Sequence, residues 1–120
     1  LDAFSSDAIP AHLLTKEAFE LYLQHMRPDG VIAVHISNRH LDLEPVVRAL
    51  AQNFNLNIAV ISDDYEAEWW IYETTWILLT NSKPFLAQSA IEDAIDTPSK
   101  NPRPPVLWTD DQTSLYEILR

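Results

Sequence analysis

Two carboxylates, Asp2 and Asp7, stand five positions apart in the opening run Leu1-Asp2-Ala3-Phe4-Ser5-Ser6-Asp7-Ala8-Ile9-Pro10. Small and polar residues separate them, and a proline closes the run just ahead of an amphipathic stretch. Paired acids on one loop suit a cationic or hydroxyl-bearing ligand. In an open α/β sheet, ligands gather beyond the carboxyl ends of the strands, which is where an acidic strand-end loop would act. The plain alternative is a pair of turn acids bonding their own backbone.

Further along, His35, Ser37 and Asn38 lie at the end of an apolar run, where a ligand could be touched. His35 falls within that run and reads first as a core histidine bonded to a neighbour. Ser37 and Asn38 read as loop-capping residues. His12, His25 and His40 are scattered, without the paired spacing of a metal site, so a zinc centre is rejected. The acidic stretch Asp63, Asp64, Glu66 and Glu68 lacks the regular ladder of a calcium loop and reads as a solvated loop. Tyr65, Trp69 and Trp70 beside it could stack on a ring or line an amine pocket. Strand alternation would send the two tryptophans to opposite faces, one of them into the core.

These residues need elements to position them. Pro10 to Leu14 reads as a short helical turn, and Thr15 as an N-cap with Glu17 in the first turn. Phe19, Tyr22, Leu23 and Met26 recur at helical period. Arg27-Pro28-Asp29-Gly30 ends that helix. Val31 to Ile36 is a nearly continuous apolar run, as in a strand buried on both faces. Asp42 is placed to cap a second helix, with Pro45 in its first turn and Val47, Leu50, Ala51 and Phe54 as its stripe. Leu56 to Ile61 reads as the next strand, so strand, helix and strand imply a right-handed parallel crossover. A last strand is expected near Thr75 to Thr80. Helices are expected over Lys83 to Ile95 and near Thr113 to Leu119, separated by the proline-rich 97–105 loop, and Asp111 is placed to cap the last.

Composition bounds the function. The chain has 120 residues, enough for one small domain, with 47% hydrophobic and 22% charged residues. Its formal net charge of −10 disfavours nucleic acid and anionic membrane surfaces as partners. It has no cysteine, hence no disulfide or thiolate chemistry. A single glycine, Gly30, excludes a Gly-x-Gly-x-Gly cofactor loop within the chain. No signal peptide or membrane-spanning run is read, and a cytoplasmic location is expected. The start without Met, at what reads as the end of a strand, suggests a fragment with its upstream part absent.

The run Asp2-Ala3-Phe4-Ser5-Ser6-Asp7-Ala8-Ile9-Pro10 resembles the Asp-Ser-x-Asp-Pro-x-Gly-Pro loop of the spermidine synthase (polyamine aminopropyltransferase) family. So do His12-Leu13-Leu14-Thr15, the helix with Phe19 and Tyr22, Pro28-Asp29-Gly30, His35-Ile36-Ser37-Asn38 and Trp108-Thr109-Asp110-Asp111. The Asp-Pro and Gly-Pro steps of that loop read Asp7-Ala8 and Ile9-Pro10 here.

The resemblance implies a partial Rossmann-like sheet of the methyltransferase type, mostly parallel with one antiparallel strand and flanked by helices. Residues 1–120 would be the C-terminal half of such a domain, with the nucleoside-binding half absent. They would supply the tail of the fourth strand, then the fifth, seventh and sixth. By the same resemblance, Asp2 is the catalytic residue, and Asp7, Ser6, Ser37 and Asn38 contact the substrate. Asp2 and Ala3 contact the co-substrate, decarboxylated S-adenosylmethionine, whose aminopropyl group passes to putrescine. No metal is expected. The acceptor is a small diamine, and an exposed strand edge suggests a homo-oligomer or completion by the missing half. A membrane region upstream occurs in part of the resembled group. A non-catalytic binding domain of the same fold and an S-adenosylmethionine-dependent methyltransferase are the other two readings. The acid pair favours a diamine over a methyl acceptor.

Overall fold

The computed structural model describes residues 1–2, 9–63, 74–98 and 100–120. Helix α1, Lys16–His25, begins where the Thr15 side chain accepts the Ala18 N–H at 3.2 Å, with Glu17 in the first turn. A single 3-10 turn, Ala11–Leu13, leads into it. Phe19 is fully buried, and Tyr22 and Leu23 pack on the core, as the helical period predicts. The chain then turns at Gly30. A side chain there would run into Met26 Cγ and lie 3.0 Å from the Arg27 carbonyl oxygen, so close approach is what requires glycine.

Strand β1, Val31–His35, is followed by α2, Glu44–Asn53, and by β2, Asn57–Asp63. Asp42 Oδ1 accepts the Glu44 N–H at 3.2 Å, and Pro45 occupies the first turn. The far end of α2 closes in a Schellman motif. The Leu56 N–H reaches the Ala51 carbonyl at 2.9 Å, the Asn55 N–H reaches that of Gln52 at 3.3 Å, and Asn55 takes φ 54°. Strand β3, Thr74–Thr80, comes next.

The sheet corrects the expected fold class. It has three strands in the order β1-β3-β2, and every pairing is antiparallel, not mostly parallel. β1 and β2 run the same way but never meet, because β3 stands between them and reverses direction. The reason lies in Thr74–Thr80: Ile77, Leu79 and Thr80 are fully buried, and such a strand needs a hydrogen-bonding neighbour on both edges. The strand expected near Thr75 to Thr80 lies within β3, which runs antiparallel to both of its neighbours. The link through α2 crosses over β3 rather than joining adjacent parallel strands; α2 packs on β2 and β3.

β1 also departs from a strand buried on both faces, since Val34 alone of its five residues is buried. Register aligns Ile32, Leu79 and Ile58, then Val34, Ile77 and Val60, on the face that joins the core with Phe19, Val46, Val47 and Leu50. The opposite face carries Ala33, Leu78 and Ala59, then His35, Trp76 and Ile61.

The segment 83–95 is not one helix. It forms two four-residue pieces, α3 (Lys83–Leu86) and α4 (Ser89–Glu92), split at Gln88, whose ψ of 133° is extended. Neither piece buries a residue, so no packing holds them in register. The expected terminal helix shrinks to a 3-10 turn, Tyr116–Ile118, which starts at Leu115 without a side-chain cap, so Asp111 does not cap it. Ile118 alone in that turn is buried, and the strap is pinned by Asp42 N–H to the Ile118 carbonyl at 2.8 Å.

Trp108 to Asp110 acquire a role that composition did not show: they close the start of α1. The Lys16 N–H donates to the Trp108 carbonyl at 2.8 Å, the Thr15 hydroxyl to Asp110 Oδ1 at 2.7 Å, and the Asp110 N–H to Glu17 Oε2 at 2.9 Å. Among the described residues no helix is long and apolar enough to cross a membrane.

Candidate functional site

The carboxyl end of β1 gathers the chemistry. Leu1 lies along its edge: the Leu1 nitrogen donates to the Ala33 carbonyl, and the His35 N–H donates to the Leu1 carbonyl at 3.1 Å. Two bonds flanking Val34 in this way form the slanted pattern of a parallel pair. That seat brings the next residue, Asp2, to the imidazole. Asp2 Oδ1 lies 3.0 Å from His35 Nδ1.

The other ring nitrogen is engaged as well. His35 Nε2 lies 2.8 Å from Ser37 Oγ, which also accepts the Thr75 N–H at 2.7 Å. Strand alternation puts residues i and i+2 on one face, which is why His35 and Ser37 meet. The tautomer that satisfies both contacts carries its proton on Nδ1, donates to Asp2, and accepts the Ser37 hydroxyl at Nε2. Trp76, opposite His35 on β3, stacks on the ring with centroids 4.8 Å apart and planes 20° apart. The imidazole is thus fixed at both nitrogens and on a face. The His35 side chain is 20% exposed and that of Asp2 60%, so the chain of contacts runs from the protein surface inward.

A carboxylate, an imidazole and a hydroxyl in series can hold a cation at the outer end and pass a proton along the series. Of the predicted site residues, Asp2 and Ser37 are brought together, joined through His35. Asn38 is turned to the loop instead: its Oδ1 accepts the His40 N–H and the Leu41 N–H, both at 2.9 Å. Ala3, Ser6 and Asp7 lie outside the described residues, as do Asp64, Tyr65, Glu66, Glu68, Trp69 and Trp70. His35 as the hub was missed by spacing arguments. The signal for it was the His-x-Ser pair at strand period.

No group of three or more His, Asp or Glu side chains able to hold a metal occurs among the described residues. The glycine that a nucleoside cradle would need is also missing, since Gly30 serves the turn into β1 against Met26. A polar hollow of about 160 Å³ lies elsewhere, lined by Asp42, Glu44, Arg48 and Arg103 among others. Its cations are matched to acids, Arg48 to Glu44 at 2.6 Å and Arg103 to Asp42 at 3.8 Å. Compared with family models, curated proteins and solved structures, the chain matches none.

Proposed function

We propose that the chain supplies the amine-acceptor side of an aminopropyltransferase-type site, of the kind that passes an aminopropyl group from decarboxylated S-adenosylmethionine to putrescine. The observation that carries the reading is the Asp2 carboxylate, held at the carboxyl end of β1 by His35 and open to solvent on its outer side. An ammonium group docks on Asp2 as a charge-assisted hydrogen bond. The overall charge of −10 draws cations and repels anions, in keeping with a diamine.

For transfer, the amine nitrogen attacks the carbon beside a sulfonium. The docked ammonium gives a proton to Asp2, which frees the lone pair; the C–N bond then forms as the C–S bond breaks and the thioether leaves. His35 keeps the carboxylate oriented throughout. The sequence offers no glycine-rich cradle for the donor's nucleoside, so the reading is confined to the acceptor side and assigns no donor contact to the described residues.

Calorimetric titration with putrescine tests it, with the uncharged diol of the same chain length as control. The expected result is saturable putrescine binding, no diol binding, and affinity lower by about tenfold or more in Asp2→Asn, the loss of one charge-assisted bond. Equal binding in that variant, or no binding by a chain that melts cooperatively, removes the reading.

A further inference from the structure

The contacts that hold Asp2 also give Ser37 the connectivity of a nucleophile, and this holds without reference to any amine. We propose that Ser37 is acylated by small neutral or cationic esters, with His35 as general base and Asp2 as the residue that orients the imidazole. Three observations carry it. Ser37 Oγ is 2.8 Å from His35 Nε2, and Asp2 Oδ1 is 3.0 Å from Nδ1, so carboxylate and hydroxyl sit on opposite nitrogens of one ring. That is the arrangement in which a base can take a hydroxyl proton while a carboxylate stabilises the imidazolium. The Thr75 N–H, 2.7 Å from Ser37 Oγ, stabilises charge developing on that oxygen. Finally, the Asn38 N–H, which follows the nucleophile, makes no hydrogen bond among the described residues, and we assign it to the oxyanion.

The step balances within these groups. Ser37 Oγ forms a bond to the acyl carbon as its proton moves to His35 Nε2, and the carbonyl electron pair becomes the oxyanion. Collapse breaks the bond to the leaving oxygen, which takes the proton back from His35. Water then attacks the acyl-serine, gives its proton to His35, and releases the carboxylic acid and free Ser37. The net charge of −10 selects against anionic esters.

The probes are p-nitrophenyl acetate, read by p-nitrophenolate release, and a neutral alkyl fluorophosphonate, read by intact mass and peptide mapping. The expected result is one covalent adduct, on Ser37. Ser37→Ala should abolish it, and His35→Gln should slow acylation by about a hundredfold, the usual range for a lost general base. Because Ser37 also receives the Thr75 N–H, its alanine variant is checked for folding by circular dichroism. Asp2→Asn, at the exposed end, gives an independent arm and should slow acylation by about tenfold or more. No adduct on the wild-type chain, an adduct on another residue, or an unchanged rate in folded His35→Gln and Asp2→Asn overturns the proposal. None of these outcomes depends on diamine binding, so the two readings fail separately.

Discussion

His35 is held on three sides, by Asp2 at Nδ1, by Ser37 at Nε2 and by the Trp76 ring across its face. An imidazole fixed in this way has its tautomer set by its partners, and its two ends face groups of different chemistry. Tyr22 shows a second residue-scale effect. Its hydroxyl donates to the Leu13 carbonyl at 3.1 Å, and burial raises its pKa above the usual 10.0. The folded state therefore holds the phenol proton more tightly than the unfolded chain does. The stability this confers is present below about pH 10 and is lost as pH rises from there through the higher folded value. Melting temperatures across the alkaline range should fall for the wild-type chain and fall less for Tyr22→Phe. Parallel profiles would contradict it. Asp2 was legible as a candidate because an acid at a strand end stands out in sequence. Its partner was not, because a histidine inside an apolar run looks the same whether it bonds a backbone carbonyl or anchors a carboxylate.

At the scale of elements, α1 was legible almost to its ends. Cap, first-turn acid, apolar period and terminating Pro-Asp-Gly all agree, and local signals suffice when they agree. The 83–95 segment failed for the opposite reason: Phe85, Ile91 and Ile95 suggested a helix, but neither of its two pieces buries a residue, and Gln88 breaks it. The capping of α1 by Trp108 to Asp110 joins residues 93 and 95 positions apart, and no local pattern announces such a pairing. The end of α2 yields a direct prediction. Asn55 is the described non-glycine residue with positive φ, 54°, a conformation that costs most L-residues about 1–2 kcal/mol. Asn55→Ala should cost about 1 kcal/mol of stability, read as a lower urea midpoint, and Asn55→Gly should match or exceed the wild-type chain. Equal midpoints for Ala and Gly would contradict the left-handed cap.

For the whole molecule, the three-stranded sheet packs one face on α2 and the core, and leaves β1 at an edge. Among the described residues Leu1 is what pairs with that edge, through its bonds to Ala33 and His35. An apolar edge strand invites further pairing. Sedimentation should therefore show association that rises with concentration, and a lysine in place of Ala33 should reduce it. A chain that stays monomeric throughout would contradict this. Strand order was not legible from local pattern because register and neighbour choice depend on which strand most needs two partners. The apolar strand Thr74–Thr80 answers that need by lying between the other two, and so makes every pairing antiparallel.

The most direct test of the amine-acceptor reading is nuclear magnetic resonance of the His35 ring and the Trp76 indole during titration with putrescine. Saturable shifts of both, lost in Asp2→Asn while the rest of the spectrum is unchanged, are the predicted result. Unmoved His35 and Trp76 signals at saturating putrescine, in a folded chain, would contradict a site at the end of β1.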